Sequence, residues 1–106
     1  EWSVREIVAH LRDTEARIYP KMHLILTTEY PDFRKGFAGS NVMTTSEHDS
    51  AFRVMSQFRR VRQSTLSLLR EIPRDAWKRM GCDIDNSTIT IRDLALFLVE
   101  HDAEHL

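Results

Sequence analysis

The chain has 106 residues, of which 42 % are hydrophobic and 29 % are charged, and its formal net charge is −1. This composition excludes a disordered chain, and the interspersed charges give no basic surface that would attract nucleic acid. No apolar run approaches the ~18 residues of a membrane span. The single cysteine, Cys82, permits no internal disulfide. We therefore expect one cytoplasmic domain that binds neither nucleic acid nor a membrane.

The first predicted helix begins at Val4. Ser3 is placed to cap it, and Glu6, three residues further on, is placed as the reciprocal partner in a capping box. Trp2 and Ile7 occupy the positions of a hydrophobic staple, in which a residue before the cap packs on one in the first turn. The chain therefore carries a complete helix-entry signal at its start.

Beyond this entry, the first helix carries one apolar face at helical spacing. Its members are Ile7, Val8, Leu11, Ile18, Met22 and Ile25. Pro20 is expected to kink this helix or to divide it near Tyr19. Residues 30–45 contain glycines, Pro31 and polar residues, which predict a loop long enough to border a functional site.

The second predicted helix opens at Ser46 with Asp49 as its capping partner and ends at Pro73. Apolar positions along it recur every three or four residues, and we interpret them as core. They are Phe52, Met55, Phe58, Val61, Thr65, Leu68, Leu69 and Ile72. The turn-rich stretch that follows predicts a loop around Gly81, with Cys82 as an ordinary loop cysteine.

A third helix is predicted to begin at Ile91, with Thr90 as its cap and Asp93 as the reciprocal partner. Its apolar stripe consists of Leu94, Phe97 and Leu98. His101 and His105 continue this stripe, and their spacing of four places both imidazoles on one helix face. Both imidazoles are therefore expected to point inward.

His10 faces inward on the first helix in the same way. If the first and third helices pack side by side, three neutral imidazoles could converge on one divalent ion and leave a coordination position open. Two alternatives remain, because inward imidazoles can instead be satisfied by hydrogen bonds, and histidines near a helix C-terminus interact well with the helix dipole. His23 and His48 receive no site assignment.

Three segments carry a family resemblance. Trp2–Leu11 contains W-S-x-x-E followed by H-L, Phe58–Leu69 contains F-R-R-V-R, and Thr90–Leu106 contains T-I-R-D-L leading to H-x-x-x-H-L. In this order and spacing they resemble the DinB/YfiT-like family, the DinB-like domain of bacteria. The resemblance implies an all-α fold, an up-and-down four-helix bundle whose first family helix is missing from this chain. We accordingly expect a single DinB-like domain over residues 1–106 that is incomplete at both ends.

The resemblance also implies a divalent metal ion, most often nickel or zinc, held by His10, His101 and His105. Members of the family are commonly described as metal-dependent hydrolases, and relatives use a low-molecular-weight thiol for S-transfer or isomerisation. We therefore expect a small-molecule substrate and a metal that activates water or a thiol cosubstrate. The alternative is a non-catalytic helical interaction module with a structural metal or none, and a homodimer could cover the groove left by the missing helix.

Two acids are candidates for a general base beside the metal. Glu104 follows His101 by three residues, and Asp13 follows His10 by three, so each shares a helix face with a ligand. Glu104 is the preferred catalytic candidate. The segment from His101 to His105 also fits the inverted zincin pattern H-x-x-E-H, but that fold needs a further acidic ligand downstream, so we do not assign protease activity.

Overall fold

The computed structural model describes residues 2–34 and 50–105 of the chain. Three α-helices contain most of these residues: α1 spans Val4–Thr27, α2 spans Ala51–Glu71 and α3 spans Ile91–His105. The predicted all-α class is confirmed for the described part of the chain, which adds one short hairpin to the helices. A search of that part finds no helix with the length and hydropathy needed to span a membrane.

The entry into α1 follows the sequence prediction. The Glu6 backbone N–H donates to Ser3 Oγ at 3.2 Å, and the Ser3 backbone N–H donates to Glu6 Oε1 at 3.4 Å, which completes the capping box. Of the two outcomes predicted for Pro20, division of the helix is wrong, because α1 continues through it to Thr27, and a kink stays a prediction. Packing of the helix on both of its neighbours compensates for the hydrogen bond that a proline removes.

The start of α2 differs from the prediction. The described helix begins at Ala51, and the Arg53 backbone N–H donates to Ser50 Oγ at 3.1 Å. Ser50 is therefore the N-cap in place of Ser46, and Ser46 and Asp49 lie outside the described residues. Serine is a good cap at either position, so the residue type alone does not distinguish Ser46 from Ser50.

The hydrophobic core lies where α2 and α3 pack on α1. Its buried members are Ile18, Met22, Ile25, Phe33, Leu68, Ile91, Leu94 and Leu98. On α2, the assignment of Phe52 and Met55 to the core is wrong, because 82 % and 36 % of these residues are exposed. Val54 is fully buried instead and begins the stripe that continues through Thr65 and Leu68. Helical spacing identified the helix but placed the start of its buried face incorrectly.

A β-hairpin replaces the loop predicted around Gly81. Strands β1 (Met80–Cys82) and β2 (Thr88–Thr90) pair antiparallel, after a 3₁₀ turn at Arg74–Lys78. Cys82 is buried in β1 and is not an ordinary loop cysteine. The hairpin is stabilised in part by backbone hydrogen bonds from Cys82 to Pro31 and Phe33, which lie far away in the sequence. Turn-forming residues in the neighbourhood of Cys82 cannot reveal those contacts.

The hairpin joins the far ends of α1 and α3. Beyond α1, the Cys82 backbone N–H donates to Pro31 O and the Phe33 backbone N–H donates to Cys82 O, both at 2.8 Å. Arg79, just before β1, donates from Nε to Ile25 O of α1 at 3.1 Å. Its own carbonyl accepts from the Ile91 backbone N–H at 3.2 Å. The C-terminal end of α1 and the N-terminal end of α3 are thus connected through the Arg79 side chain and through backbone hydrogen bonds of the hairpin.

We expect Gly81→Ala to lower the free energy of unfolding by about 2 kcal/mol, since overpacking a buried site forces its neighbours to move. A Cβ atom at Gly81 would lie 2.8 Å from Phe33 Cε2 and 2.9 Å from Pro31 O. Urea denaturation measures the loss, and Thr88→Ala at an exposed position of β2 serves as the control. A Gly81→Ala midpoint equal to that of the control would contradict the close approach.

Candidate metal centre

The entry into α3 sets the position of its two histidines. The Thr90 backbone N–H donates to Asp93 Oδ2, and the Asp93 backbone N–H donates to Thr90 Oγ1, both at 3.0 Å. This is the predicted capping pair, and the helix begins at the predicted residue. Leu98 is buried against the core, and His101 and His105 follow on the same face one and two turns later.

Antiparallel packing of α1 and α3 brings three histidines together. The ligand nitrogens of His10, His101 and His105 all lie within 4.8 Å of one another, and each residue is partly buried. Nε2 of His10 and Nε2 of His101 are 2.9 Å apart. The ring centroids are separated by 4.6 to 4.7 Å. The convergence predicted from the sequence is therefore present in the structure.

Two aromatic rings flank this cluster. Trp2 meets His10 edge-on with ring centroids 5.1 Å apart, and it stacks on His105 at 5.8 Å. Phe97 stacks on His101 at 5.6 Å. The sequence assigned Trp2 to a staple with the first turn of α1 and did not predict its contact with the imidazoles. About half of each aromatic residue remains exposed, 50 % for Trp2 and 46 % for Phe97.

The electrostatics of the cluster suit a divalent cation. Burial, followed by the charges of His101 and His105, lowers the pKa of His10, and Asp13 opposes the shift. A lowered pKa favours the neutral imidazole, which is the form that binds a metal. Among the described residues, His101 Nδ1 is buried without a hydrogen-bond partner. Buried polar atoms rarely lack a partner, so protein contacts alone do not satisfy this imidazole. The three imidazoles therefore fit a metal ion.

The family model of the DinB superfamily matches residues 1–106. The chain belongs to the DinB superfamily. The match covers all the segments on which the resemblance was noted, including those that carry the three histidines. No curated protein matches this DinB-superfamily chain significantly.

The acids predicted beside the metal have different surroundings in this DinB-superfamily domain. Glu104 is exposed on α3, and its role as a base stays a prediction. Asp13 is engaged by Arg12, whose Nη2 lies 2.8 Å from Asp13 Oδ1. His23 is exposed on α1 and does not join the histidine cluster, and His48 lies outside the described residues.

An ionic network below the histidines was missed from the sequence. Arg12 and Glu15 are both fully buried on α1, and Arg12 Nη1 donates to Gln57 Oε1 of α2 at 2.7 Å. Arg62 of α2 pairs with Glu15 and with Asp102 of α3. One signal could have revealed the network, because Glu15 lies at core-facing helical spacing between the buried apolar residues of α1.

The lowered pKa of His10 predicts a pH-dependent stability of the metal-free domain. Because the folded pKa lies below the unfolded value of about 6.5, the stability contributed by the neutral imidazole is complete above that pH. It is lost as the pH falls through the folded pKa. We expect Tm to decrease between pH 7 and pH 5 and His10→Gln to reduce the decrease, measured by calorimetry. His23→Gln should behave as wild type, and equal decreases in all three proteins would contradict the prediction.

Proposed function

We propose that this DinB-superfamily domain is a metal-dependent enzyme in which His10, His101 and His105 hold one divalent ion, nickel or zinc. The observation that carries the proposal is the convergence of three imidazole nitrogens within 4.8 Å. Within the described residues, no carboxylate or thiol joins this group. A purely imidazole donor set suits the borderline transition metals and disfavours calcium and magnesium, which prefer oxygen ligands.

Within the part of the chain that the structure describes, the site has three protein ligands, and this number favours catalysis over a structural role. Structural zinc sites use four protein ligands, whereas catalytic sites use three and leave a position open. A divalent ion bound here would supply Lewis acidity, which activates water for the hydrolysis of a small molecule. Trp2 and Phe97 stack on His105 and His101 and so help to fix the planes of these two rings. Glu104 is our candidate for the group that accepts a proton from the nucleophile.

The first test is the metal content of the purified protein, measured by inductively coupled plasma mass spectrometry. We expect about one nickel or zinc ion per chain for a single three-histidine site. The open position is then tested on cobalt-substituted protein with azide, which should change the visible spectrum by binding at that position. A protein that takes up no divalent metal after reconstitution would contradict the metal site, and a spectrum unaffected by azide would contradict catalysis.

The same titration distinguishes the two candidate nucleophiles. A small thiol added in place of azide should leave the cobalt spectrum without a thiolate charge-transfer band if water is the nucleophile used by the enzyme. An intense band at micromolar thiol would contradict hydrolysis as the reaction and would favour a thiol-dependent transferase.

A further inference from the structure

Arg62 of α2 lies between two carboxylates that belong to the two other helices. Its Nε donates to Glu15 Oε1 at 2.8 Å and to Oε2 at 3.0 Å. Its Nη2 donates to Asp102 Oδ2 at 2.7 Å and lies 2.7 Å from Glu15 Oε1. Glu15 is fully buried on α1, whereas 23 % of the Asp102 side chain is exposed on α3. One guanidinium therefore joins all three helices.

This contact lies where apolar packing of α3 has ended. Leu98 is the last buried residue of α3, and every residue from 99 to 105 is partly or fully exposed. The two ligand histidines of α3 are in this final segment, and Asp102 directly follows His101. Buried apolar side chains therefore do not hold this final segment of α3, and a polar contact is well placed to contribute to the position of the two imidazoles relative to His10.

We propose that Arg62, together with Glu15 and Asp102, is a positioning residue that holds the last two turns of α3 against α1, so that His101 and His105 meet His10. We refer to these three charged residues as the Arg62 clamp. A guanidinium presents its N–H groups in a fixed plane and therefore constrains both distance and orientation. The buried Glu15 carboxylate orients Arg62, and Arg62 in turn holds Asp102.

The charges of the Arg62 clamp agree with this role. The hydrogen bond to Glu15 raises the pKa of Arg62 further above its usual value, so the guanidinium stays charged. Two carboxylates and one guanidinium leave one net negative charge beneath the imidazoles. Groups that orient first-sphere ligands typically change metal affinity about 10-fold to 100-fold when they are removed.

The decisive variant is Asp102→Asn, which replaces the ion pair between α3 and Arg62 with at most a hydrogen bond to a neutral amide and leaves the buried contact between Arg62 and Glu15 intact. Its matched control is Glu100→Gln, because Glu100 is exposed on α3 and flanks His101 on the other side. Both variants remove one carboxylate from a residue that neighbours His101 in sequence, so the control accounts for the loss of a negative charge from this part of α3. In a competition titration we expect Asp102→Asn to weaken zinc binding about tenfold and Glu100→Gln to weaken it less than about twofold.

Trp2 provides a second readout that needs no metal, because its ring contacts His10 on α1 and His105 on α3. In a Trp77→Phe background, Trp2 is the single tryptophan of the chain. We expect Asp102→Asn to shift Trp2 emission to longer wavelength and to increase its quenching by acrylamide. Arg62→Lys should give an intermediate change, because lysine keeps the charge but loses the planar N–H groups.

The two readouts separate this inference from the proposed function. The affinity measurement rests on the proposed metal site, whereas the emission measurement does not. A wild-type protein that binds no metal would contradict the proposed function, and Trp2 emission would still decide the role of the Arg62 clamp. If Asp102→Asn matches Glu100→Gln in emission, and in affinity where metal binds, Arg62 is not a positioning residue.

Discussion

The double variant His101→Ala/His105→Ala is expected to lose stoichiometric metal binding. The three ligand nitrogens lie within 4.8 Å of one another, and the variant leaves His10 as the single remaining member of the cluster. Loss of two of three ligands should weaken binding by more than about a thousandfold, well beyond the loss for an outer group. Metal analysis after dialysis and a zinc competition titration would measure the effect.

The matched control for this variant is His23→Ala. His23 is exposed on α1 and lies outside the cluster, so its removal should leave the metal content unchanged. Circular dichroism would verify that both variants keep their helices. Wild-type metal content in the double variant would show that the ion binds elsewhere, and a similar loss in His23→Ala would point to nonspecific binding by imidazoles.

The second large effect is expected for Glu15→Gln, which should lower the free energy of unfolding by about 3 kcal/mol. Glu15 is 0 % exposed, and both of its carboxylate oxygens accept from Arg62. Glutamine has nearly the same shape but replaces one acceptor oxygen with an amide donor. Arg62 would then lose one of its two acceptor oxygens and the charge of the other, and the new amide N–H group would be buried on α1 facing a cation.

Urea denaturation of Glu15→Gln measures this loss against Glu29→Gln. Glu29 is exposed just beyond α1, so its amide variant should change stability by less than about 0.5 kcal/mol. A Glu15→Gln loss no larger than that of Glu29→Gln would mean that the carboxylate contributes little to folding. In that case we would interpret the buried charge as selecting one packing arrangement of the helices and not as stabilising the fold.

The features that could be predicted from the sequence are those governed by nearest neighbours along the chain. The capping pairs of Ser3 with Glu6 and of Thr90 with Asp93 depend on side chains three residues from their backbone partners, so short motifs identified both helix starts. The inward direction of His101 and His105 followed from the apolar stripe that precedes them. Their approach to His10 required the further assumption that α1 and α3 are neighbours, which family resemblance supplied.

The features that were missed depend on residues far apart in the chain. β1 pairs with the segment at Pro31–Phe33, about 50 residues earlier, and no local pattern encodes that contact. The buried face of α2 is set by which residues α1 covers, so Phe52 had helical spacing but no partner that buries it. The ion pairs between Arg62 and two other helices were missed for the same reason. The charge of Arg62 and its spacing along α2 are also typical of a solvent-exposed helix face.

The hairpin that ties α1 to α3 lies at the opposite end of these helices from the histidines. Backbone hydrogen bonds of Cys82 and Ile91, together with the Arg79 side chain, close that end, whereas at the histidine end the helices are joined by charged side chains. We therefore expect α1 and α3 to stay together at the hairpin end and to separate more easily at the histidine end. A metal ion bound by the three histidines would exchange when the last turns of α3 separate from α1 while the core stays folded. We therefore expect metal exchange to be much faster than global unfolding.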